Sequence, residues 1–402
     1  MYCTRKIIKD VYYVGCDDYK INLFESTLNI NHGVSYNSYI ILDNKTCLLD
    51  TVDQDVSRQF FKNVEHVLNG RELDYLVVHH MEPDHCYNIG EVLLRYPNVK
   101  VVSNEMVFKF ISNFFPTLYL EGRKVVVKEG DTLDLGKNKL HFVFTPMVHW
   151  PEVMMSLEET NGILFSADAF GSFNTLDGNL YSSDVNYQKD FLDDARNYYT
   201  NIVGKYGSQV QAAFKKLDVS KIKMILPLHG LLWKGKDINF ILDKYIKWST
   251  YTPEDKEVII LFASMYGDNN EVARVLATKL SERGIKHLKV YDTSRTNVSH
   301  LVGESFRVSN IVLISPTYNM SIFPSVLAYL DDIMRMNLSS RTFTLIGNGS
   351  WAPVTNKLVK EKLSANPTIQ FTPTELTITS SLKESELEII DKIASEIKES
   401  LK

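Results

Sequence analysis

Cysteine is scarce and scattered in this sequence. The four cysteines are Cys3, Cys16, Cys47 and Cys86, and no two of them form a Cys-x-x-Cys pair. Zinc and iron sites built only from thiolates need closely spaced cysteines, so that class of site is excluded within this chain. Isolated thiols are typical of proteins in a reducing compartment, and we expect a cytoplasmic protein.

Long apolar runs and an excess of basic charge are also missing. No stretch approaches the roughly 20 apolar residues that cross a bilayer. The N-terminal "MYCTRKIIKDVYYVG" lacks the apolar core of a signal peptide. The formal net charge is −5, whereas nucleic-acid-binding surfaces are basic. We therefore expect a soluble protein that binds neither membranes nor nucleic acids.

The sequence does contain enough residues for two domains, and its first part mixes strands and helices. The 402 residues, 44% of them hydrophobic, make a long chain for a single core. Strands are predicted at 35–43, 46–50, 75–78, 99–103, 124–131, 139–144 and 162–166, and helices at 55–68, 193–203 and 237–249.

The second part alternates regularly between strand and helix. Strands are predicted at 257–263, 287–292, 310–315 and 341–347, and helices at 270–284, 297–305, 324–334 and 383–402. Continuous apolar strands separated by amphipathic helices indicate a parallel sheet covered on both faces. The polar, proline-containing "TYTPED" (250–255) separates the two patterns. We place the domains at 1–250 and 251–402.

The octapeptide "HHMEPDHC" (79–86) follows the apolar strand "YLVV" and concentrates potential metal ligands. A solvated polar turn is the ordinary explanation of such a loop. However, three further strands of this part of the chain also end near a histidine or an aspartate. The resulting candidate ligands are His80, Glu82, Asp84, His85, His149, Asp168 and His229. They suffice for two metal ions, and Asp168 is the natural bridge because a carboxylate can give one oxygen to each.

The other histidines are not expected to bind metal. Successive side chains of a strand point to opposite faces, so His79 is a neighbour of the site and not a ligand. Structural or exposed positions are expected for the rest, namely His32, His66, His141, His287 and His300. Imidazoles with several carboxylates and no thiolate favour iron or manganese over zinc.

Three loops of the second part also follow strands in the same register. They are "SMYGDN" (264–269), "PTYN" (316–319) and "GNGSW" (347–351). An open α/β sheet binds its ligand at the carboxyl ends of its strands, so we expect these loops to form one pocket. The first loop has the polar turn residues and the following helix that suit a phosphate. Tyr318 and Trp351 are placed to flank a flat ring.

Each part resembles a known fold family. The first part is similar to the metallo-β-lactamase fold, an αββα sandwich whose hydrolases carry a His-x-His-x-Asp-His loop. Here Glu82 replaces the second histidine, and this harder anionic ligand argues for a redox metal. The second part resembles flavodoxin, a doubly wound parallel sheet that binds FMN. Asp268 departs from the usual loop, because an acid beside a phosphate is unfavourable unless it points outward or caps the helix.

Together the two parts resemble the flavodiiron proteins over essentially the whole chain. The resemblance implies that His80, Glu82 and His149 hold one iron, that Asp84, His85 and His229 hold the other, and that Asp168 bridges them. The FMN contacts that it implies are Ser264, Met265, Tyr266, Gly267, Asp268, Asn269, Pro316, Thr317, Tyr318, Asn319, Gly347, Asn348, Gly349, Ser350 and Trp351.

The resemblance also implies an activity and its partners. Flavodiiron proteins reduce dioxygen to water, nitric oxide to nitrous oxide, or both. For this chain we expect dioxygen to be the preferred substrate and nitric oxide the second. The chain has no CxxC pairs, so the expected electron donor is a separate rubredoxin or flavoprotein reductase. A head-to-tail homodimer, or a homotetramer built from two dimers, is expected to bring the FMN of one subunit beside the irons of another.

Three positions near the expected site have no assigned role in catalysis. Many relatives have a histidine where this chain has Glu25, and we expect Glu25 to lie next to the iron ligands. Tyr199 and Trp150 are candidates for a hydrogen bond at the pocket. Two alternatives to a reductase stay open, a metal-dependent hydrolase with an accessory flavin domain and a pure electron-transfer flavoprotein.

Overall fold

The computed structural model describes residues 1–402, and the chain divides into two compact units. Unit 1 comprises Met1–Tyr199 and Ser208–Tyr245, and unit 2 comprises Thr200–Gly207 and Ile246–Lys402. The sequence pattern places the boundary near residue 250. It gives no sign that the short segment Thr200–Gly207 groups with the second unit.

Unit 1 is built from short strands and helices. Its strands are β1 (Arg5–Ile8), β2 (Val11–Tyr13), β3 (Cys16–Asp18), β4 (Leu23–Phe24), β5 (Leu28–Asn29), β6 (Val34–Tyr36), β7 (Tyr39–Leu42), β8 (Thr46–Leu49), β9 (Tyr75–Val77), β10 (Lys100–Ser103), β11 (Lys124–Val126), β12 (Thr132–Asp134), β13 (Lys139–Phe144), β14 (Met154–Glu158), β15 (Ile163–Phe165), β16 (Met224–Leu226) and β17 (Trp233–Lys234). The helices up to residue 249 are α1 (Ser57–Leu68), α2 (Pro83–Cys86), α3 (Ile89–Arg95), α4 (Glu105–Phe114), α5 (Tyr187–Asp190), α6 (Leu192–Tyr198), α7 (Gly207–Lys216) and α8 (Asp237–Ser249).

Two sheets form the body of unit 1. The first has the order β1-β2-β7-β8-β9-β10-β11, and the second has the order β12-β13-β14-β15-β16-β17. The rings of Tyr39 on β7 and Phe165 on β15 lie 5.4 Å apart, which joins the inner faces of the sheets. The Tyr39 hydroxyl donates across the same interface to the Pro227 carbonyl at 2.5 Å. This sandwich confirms the fold class expected for the first part of the chain.

Three of the differences between unit 1 and the sequence prediction have a clear local cause. Of the strand predicted at 124–131 only β11 (Lys124–Val126) forms, because the backbone turns at Gly130, whose φ is +84°, and β12 begins at Thr132. The helix predicted at 193–203 ends at Tyr198, and a π-helical turn follows over Tyr199–Val203. Strand β14 was not predicted. Four of its five residues are buried, so it lacks the alternation that marks a half-exposed strand.

Unit 2 contains one parallel sheet with flanking helices. Its strands are β18 (Asp255–Phe262), β19 (Lys289–Asp292), β20 (Val308–Tyr318), β21 (Ser321–Ile322), β22 (Thr342–Asn348), β23 (Gln370–Phe371) and β24 (Leu376–Ile378). Its helices are α9 (Asp268–Glu282), α10 (Val298–Arg307), α11 (Pro324–Arg335), α12 (Thr355–Leu363) and α13 (Leu387–Ser400).

The parallel sheet of unit 2 has the order β19-β18-β20-β22, and both β23 and β24 pair with β22. Its pairs β18–β19, β18–β20 and β20–β22 are parallel, as the alternating pattern predicts. A buried apolar cluster that includes Leu276 of α9 and Ile393 of α13 covers one face. This arrangement confirms the flavodoxin-like prediction. None of the helices has both the length and the apolar character that crossing a membrane requires.

Candidate functional site

The candidate ligands of unit 1 lie just beyond the carboxyl ends of four strands. His80 follows β9, His149 follows β13, Asp168 follows β15 and His229 follows β16. β13 and β15 both pair antiparallel with β14, and β15 pairs parallel with β16. These three strands therefore end at the same edge of their sheet. All seven predicted side chains meet there, in two groups: His80, Glu82, His149 and Asp168 in one, and Asp84, His85 and His229 in the other.

The first group is compact and buried. His80 Nε2 lies 3.3 Å from Glu82 Oε2 and 3.3 Å from His149 Nε2. His149 Nε2 lies 3.1 Å from Glu82 Oε2. Two imidazole nitrogens and a carboxylate oxygen thus converge on one point, which is the arrangement that a metal ion requires.

The second group has the same character. The Nε2 atoms of His85 and His229 lie 3.0 Å apart. Asp84 Oδ2 lies 3.3 Å from His229 Nε2 and 3.4 Å from His85 Nε2. All three side chains are buried. The second group therefore offers two imidazoles and one carboxylate, as the first group does.

Asp168 faces both groups at once. Its Oδ2 lies 3.0 Å from His149 Nε2 and 3.3 Å from His80 Nε2. Its Oδ1 lies 3.2 Å from His85 Nε2 and 3.9 Å from His229 Nε2. One oxygen is thus directed to each group, which is the geometry expected of a bridging carboxylate.

The polar atoms of this cluster fit a pair of cations. Asp168 Oδ1 and both carboxylate oxygens of Asp84 are buried and have no hydrogen-bond partner. Imidazole nitrogens lie 3.2 Å from Asp168 Oδ1 and 3.3 Å from Asp84 Oδ2. Buried carboxylate oxygens that accept no hydrogen bond are nevertheless unfavourable, and one cation in each group would remove that cost. Harder oxygen ligands combined with imidazole, in the absence of thiolate, suit iron or manganese.

The same electrostatic balance shifts the pKa of the imidazoles. Burial lowers the pKa of His85, but the Asp84 and Asp168 carboxylates outweigh it and raise this pKa to about 9. Burial also lowers the pKa of His149, but its contacts with Asp168 and Glu82 outweigh this effect and raise the pKa to about 9. The carboxylates thus attract positive charge to the cluster, and metal ions would take the place of those protons.

Two of the imidazoles are oriented by partners that the sequence analysis missed. His80 Nδ1 lies 2.8 Å from Glu152 Oε1, and His229 Nδ1 lies 2.8 Å from the Ser35 carbonyl oxygen. Metal-binding histidines usually donate their second ring nitrogen in this way, so each Nε2 is left free for a metal. Glu152 follows His149 by three residues, and that proximity is the only sequence signal for it.

His79 lies outside the cluster, as predicted. Its Nδ1 is 2.6 Å from Asp50 Oδ2, and its Nε2 is 2.8 Å from Ser156 Oγ. Asp50 follows β8 of the first sheet, whereas Ser156 lies on β14 of the second. His79 therefore joins the two sheets beneath the ligand loop. The other five histidines belong to neither group of the cluster.

Aromatic side chains surround the cluster, and one prediction about them needs correction. The ring next to His229 belongs to Tyr198, at 5.5 Å, whereas Tyr199 packs on Tyr245 at 4.9 Å. The two tyrosines lie at the junction of α6 and the π-helical turn, a local change that the sequence pattern did not predict. Trp150 does lie at the site, with its ring 5.2 Å from that of His80.

Glu25 is close to the cluster, as expected. It occupies the turn between β4 and β5 with a φ of +48°. The residue is largely exposed, yet its carboxyl group is within hydrogen-bonding reach of Glu82. Partial burial and the Glu82 carboxylate raise the pKa of Glu25 to about 7. Glu25 therefore places a titratable group at the mouth of the cluster.

The three loops of unit 2 also meet, around a cavity of about 310 Å³. Its lining is Ser264, Met265, Tyr266, Asp268, Asn269, Pro316, Thr317, Tyr318, Asn319, Met320, Asn348, Gly349, Ser350, Trp351 and Ser380. Met320 and Ser380 were not predicted. Gly267 and Gly347 were predicted but are not part of the lining. Gly347 faces α12, where an added Cβ would lie 2.8 Å from the Asn356 amide oxygen.

Buried amides fix the loops of this cavity. Asn269 donates to the Ala263 carbonyl at 2.8 Å and accepts from Asn348 at 2.8 Å, so it joins the first and third loops. Asp268 is the first residue of α9, and its Oδ1 accepts a hydrogen bond from Ser381 at 3.0 Å. An acid at the first turn of a helix is favourable there. The cavity thus presents polar loop groups, a helix N-terminus and the rings of Tyr318 and Trp351.

Comparisons with known proteins agree with both halves of this description. A family model described as "ODP family beta lactamase" matches residues 34–230. The anaerobic nitric oxide reductase flavorubredoxin of Aeromonas hydrophila is 30% identical over 356 residues, which cover 85% of this chain and 69% of that protein.

Two solved structures share the fold along nearly the whole chain. The rubredoxin oxygen:oxidoreductase of Desulfovibrio gigas superposes with a TM-score of 0.91 at 26% identity, covering 99% of this chain and 98% of that one. The flavodiiron protein of Giardia intestinalis also gives a TM-score of 0.91, at 21% identity, over 99% of this chain and 97% of that one. With the paired ligand groups in unit 1 and the loop cavity in unit 2, these likenesses establish that the chain belongs to the flavodiiron protein family.

Proposed function

We propose that this chain is a flavodiiron reductase, which takes dioxygen to water, nitric oxide to nitrous oxide, or both, with electrons relayed through FMN. The observation that carries the proposal is the position of Asp168 between two groups of buried ligands. Glu82 supports a redox metal, because it puts a carboxylate where a zinc hydrolase has a neutral imidazole.

Each group would hold one iron. His80, Glu82 and His149 would bind the first and Asp84, His85 and His229 the second, with Asp168 between them. When bound, the irons and the reduced flavin supply the four electrons that dioxygen needs to become water, or the two that join a pair of nitric oxides. The three carboxylates offset the charge of the metals, and the buried walls of the cluster exclude bulk water.

The cavity of unit 2 would hold the FMN. The N-terminus of α9 and the polar groups of the first loop suit its phosphate, and Tyr318 and Trp351 suit its flat ring. Asn269 and Asn348 would keep the loops in place through their mutual hydrogen bond at 2.8 Å. The flavorubredoxin name of the Aeromonas hydrophila relative supports flavin as a cofactor of this chain.

A second subunit and an external donor complete the proposal. Tyr266 and Trp351 at the rim of the cavity are 92% and 73% exposed, and large exposed apolar rings often mark a contact surface. We propose a head-to-tail homodimer, or a homotetramer of such dimers, in which this rim covers the metal ligands of a second copy. The donor is a separate rubredoxin or flavoprotein reductase, and the rubredoxin in the name of the Desulfovibrio gigas protein supports it. The compartment is the cytoplasm, where the enzyme would remove oxygen.

We propose dioxygen as the preferred substrate and nitric oxide as a second substrate. The name of the Desulfovibrio gigas protein includes oxygen, and the name of the Aeromonas hydrophila protein includes nitric oxide. A direct test loads the protein with iron and FMN, reduces it without air and mixes it with each gas in a stopped-flow instrument. Reoxidation by at least one gas is expected, faster with dioxygen.

Two further measurements separate the reductase from its two alternatives. Metal analysis of the protein as purified, before any iron is added, should find two irons per chain. Two zinc ions together with turnover of an ester or lactam substrate would instead identify a hydrolase. Flavin reoxidation that is unchanged after iron is removed would identify an electron-transfer flavoprotein.

A further inference from the structure

The three deeply buried imidazoles of the cluster differ in what their Nδ1 atoms contact. His80 Nδ1 is 2.8 Å from the Glu152 carboxylate, and His229 Nδ1 is 2.8 Å from a backbone carbonyl, that of Ser35. His85 Nδ1 is buried and has no hydrogen-bond partner. The two metal positions are therefore not equivalent, although each contains two imidazoles and one terminal carboxylate.

Glu152 is held firmly in its place beside His80. Only 1% of the residue is exposed. Its Oε1 lies beside His80 Nδ1 and also accepts the backbone N–H of Met81 at 2.9 Å. Its own carbonyl accepts a hydrogen bond from the Asn104 amide at 2.7 Å, and Asn104 caps helix α4. The carboxylate thus fixes the orientation of the His80 ring and the backbone position of Met81.

We infer that Glu152 is a positioning residue that makes the metal position of His80, Glu82 and His149 the tighter and more electron-rich of the two. This inference rests on the proposed diiron function. A carboxylate that accepts the Nδ1 proton increases the basicity of the imidazole and strengthens its bond to a metal through Nε2. The neutral carbonyl beside His229 increases the basicity of that imidazole less. His85 has no acceptor at Nδ1, so its basicity is increased least.

Two consequences follow for the loaded protein. The first metal equivalent should occupy the His80 position, because the ligands there are better donors and better oriented. The higher donor strength should also stabilise the oxidised state of an iron there, so this iron should lose an electron before its neighbour. The Asp84, His85 and His229 position should fill second and release its metal first.

Occupancy tests the inference without any variant. Metal-free protein is mixed with one equivalent of Co²⁺ and crystallised, and anomalous scattering measures cobalt at each position. We expect at least about ten times more cobalt at the His80 position, the lower limit of what partners of metal-binding histidines usually contribute. Equal occupancy, or more cobalt at the His229 position, would overturn the inference.

The variant Glu152→Gln tests the role of the charge. It retains an oxygen that can accept from His80 and Met81 but removes the negative charge. The dissociation constant for Co²⁺ at the His80 position should rise by about 10- to 100-fold, with the His229 position unchanged. The matched control is Asp50→Asn, which removes a buried carboxylate from His79, an adjacent imidazole that binds no metal. It should leave both constants unchanged in the folded protein.

The outcomes separate this inference from the proposed function. Cobalt at both positions, with equal effects of Glu152→Gln on each, would overturn the role of Glu152 and leave the diiron assignment intact. Protein that binds neither Co²⁺ nor Fe²⁺ at either position would overturn the proposed function, and the inference with it. A further readout is Mössbauer spectroscopy of half-oxidised, ⁵⁷Fe-loaded protein, in which Glu152→Gln should abolish the preference for oxidation at one site.

Discussion

His79 and Asp50 are joined by two contacts: the backbone N–H of His79 donates to Asp50 Oδ1 at 2.7 Å, and His79 Nδ1 lies 2.6 Å from Asp50 Oδ2. The next residue, His80, points into the metal cluster. Adjacent histidines at the end of one strand thus have separate tasks, because their side chains leave the backbone on opposite sides. One connects the two sheets and the other offers a ligand.

Replacing His79 by alanine should destabilise the fold. The change leaves Asp50 Oδ2 and the Ser156 hydroxyl buried without the imidazole, although the backbone N–H of residue 79 still donates to Asp50 Oδ1. We expect a loss of about 3 kcal/mol in the free energy of unfolding. Urea denaturation of the metal-free protein, followed by circular dichroism, measures this loss. The folded fraction should still bind two irons per chain. A variant of normal stability that loses iron would mean that His79 is a ligand.

Replacing His229 by alanine should remove chiefly one of the two irons. His229 contacts Asp84 and His85 of the second group at 3.3 and 3.0 Å, whereas its distance to the bridging Asp168 is 3.9 Å. Elemental analysis should therefore find close to one iron per chain, and gas consumption should stop. The visible spectrum of the bound flavin should be unchanged.

The control for this variant is His141→Ala. His141 lies on β13, the strand that leads to His149, but it is half-buried and its Nδ1 is 3.4 Å from the Thr132 hydroxyl. This variant should keep both irons and full activity. Continued gas consumption by His229→Ala would contradict the assignment of the second group.

Replacing Asn269 by alanine should weaken FMN binding about tenfold, which corresponds to about 1.4 kcal/mol. The Asn269 side chain joins Ala263 to Asn348, so its loss frees the first and third loops to move apart. Quenching of FMN fluorescence during titration of the flavin-free protein measures the affinity. The matched control is Asn297→Ala, which removes an asparagine that accepts from Ser299 at the start of α10. Equal loss of FMN affinity in both variants would refute a specific role for Asn269.

The sequence was sufficient for the fold class and for finding the seven side chains that meet in the cluster, because both depend on local signals. Apolar strands that alternate with amphipathic helices predict a parallel sheet wherever they occur. A histidine or aspartate directly after a buried strand is likewise visible without coordinates. The replacement of a histidine of the zinc hydrolases by Glu82 is also recognisable from residue type alone.

The residues that orient the ligands could not be predicted in the same way. Glu152 and Asp50 contact histidines that lie 72 and 29 residues away along the chain. Glu152 lies three residues after His149 and Asp50 directly follows a buried strand, but neither position indicates which histidine the carboxylate contacts. The residue beside His229 is Tyr198 and not the predicted Tyr199, because α6 ends at Tyr198 and a π-helical turn begins at Tyr199. A change of helical period by one residue rotates every later side chain, and no propensity scale predicts it.

Gly230 provides the last test, since it fixes His229 through the backbone. Its φ is +73°, and a Cβ at this position would lie 2.2 Å from the Ser172 hydroxyl oxygen. Its N–H donates to Ser35 Oγ at 2.7 Å, and its carbonyl accepts from Asn37 at 2.9 Å. Gly230→Ala should therefore displace His229, lower the free energy of unfolding by more than about 2 kcal/mol and reduce the iron content.

Gly235→Ala is the matched control, because Gly235 has a similar φ of +60° but no atom within 4 Å of an added Cβ. Its cost should be limited to backbone strain, about 1 kcal/mol, and both irons should remain. Chemical denaturation and elemental analysis of the two variants separate the collision with Ser172 from the strain that both glycines share. If Gly230→Ala behaved like Gly235→Ala in stability and iron content, the backbone at Gly230 would not be what holds His229 in the second group.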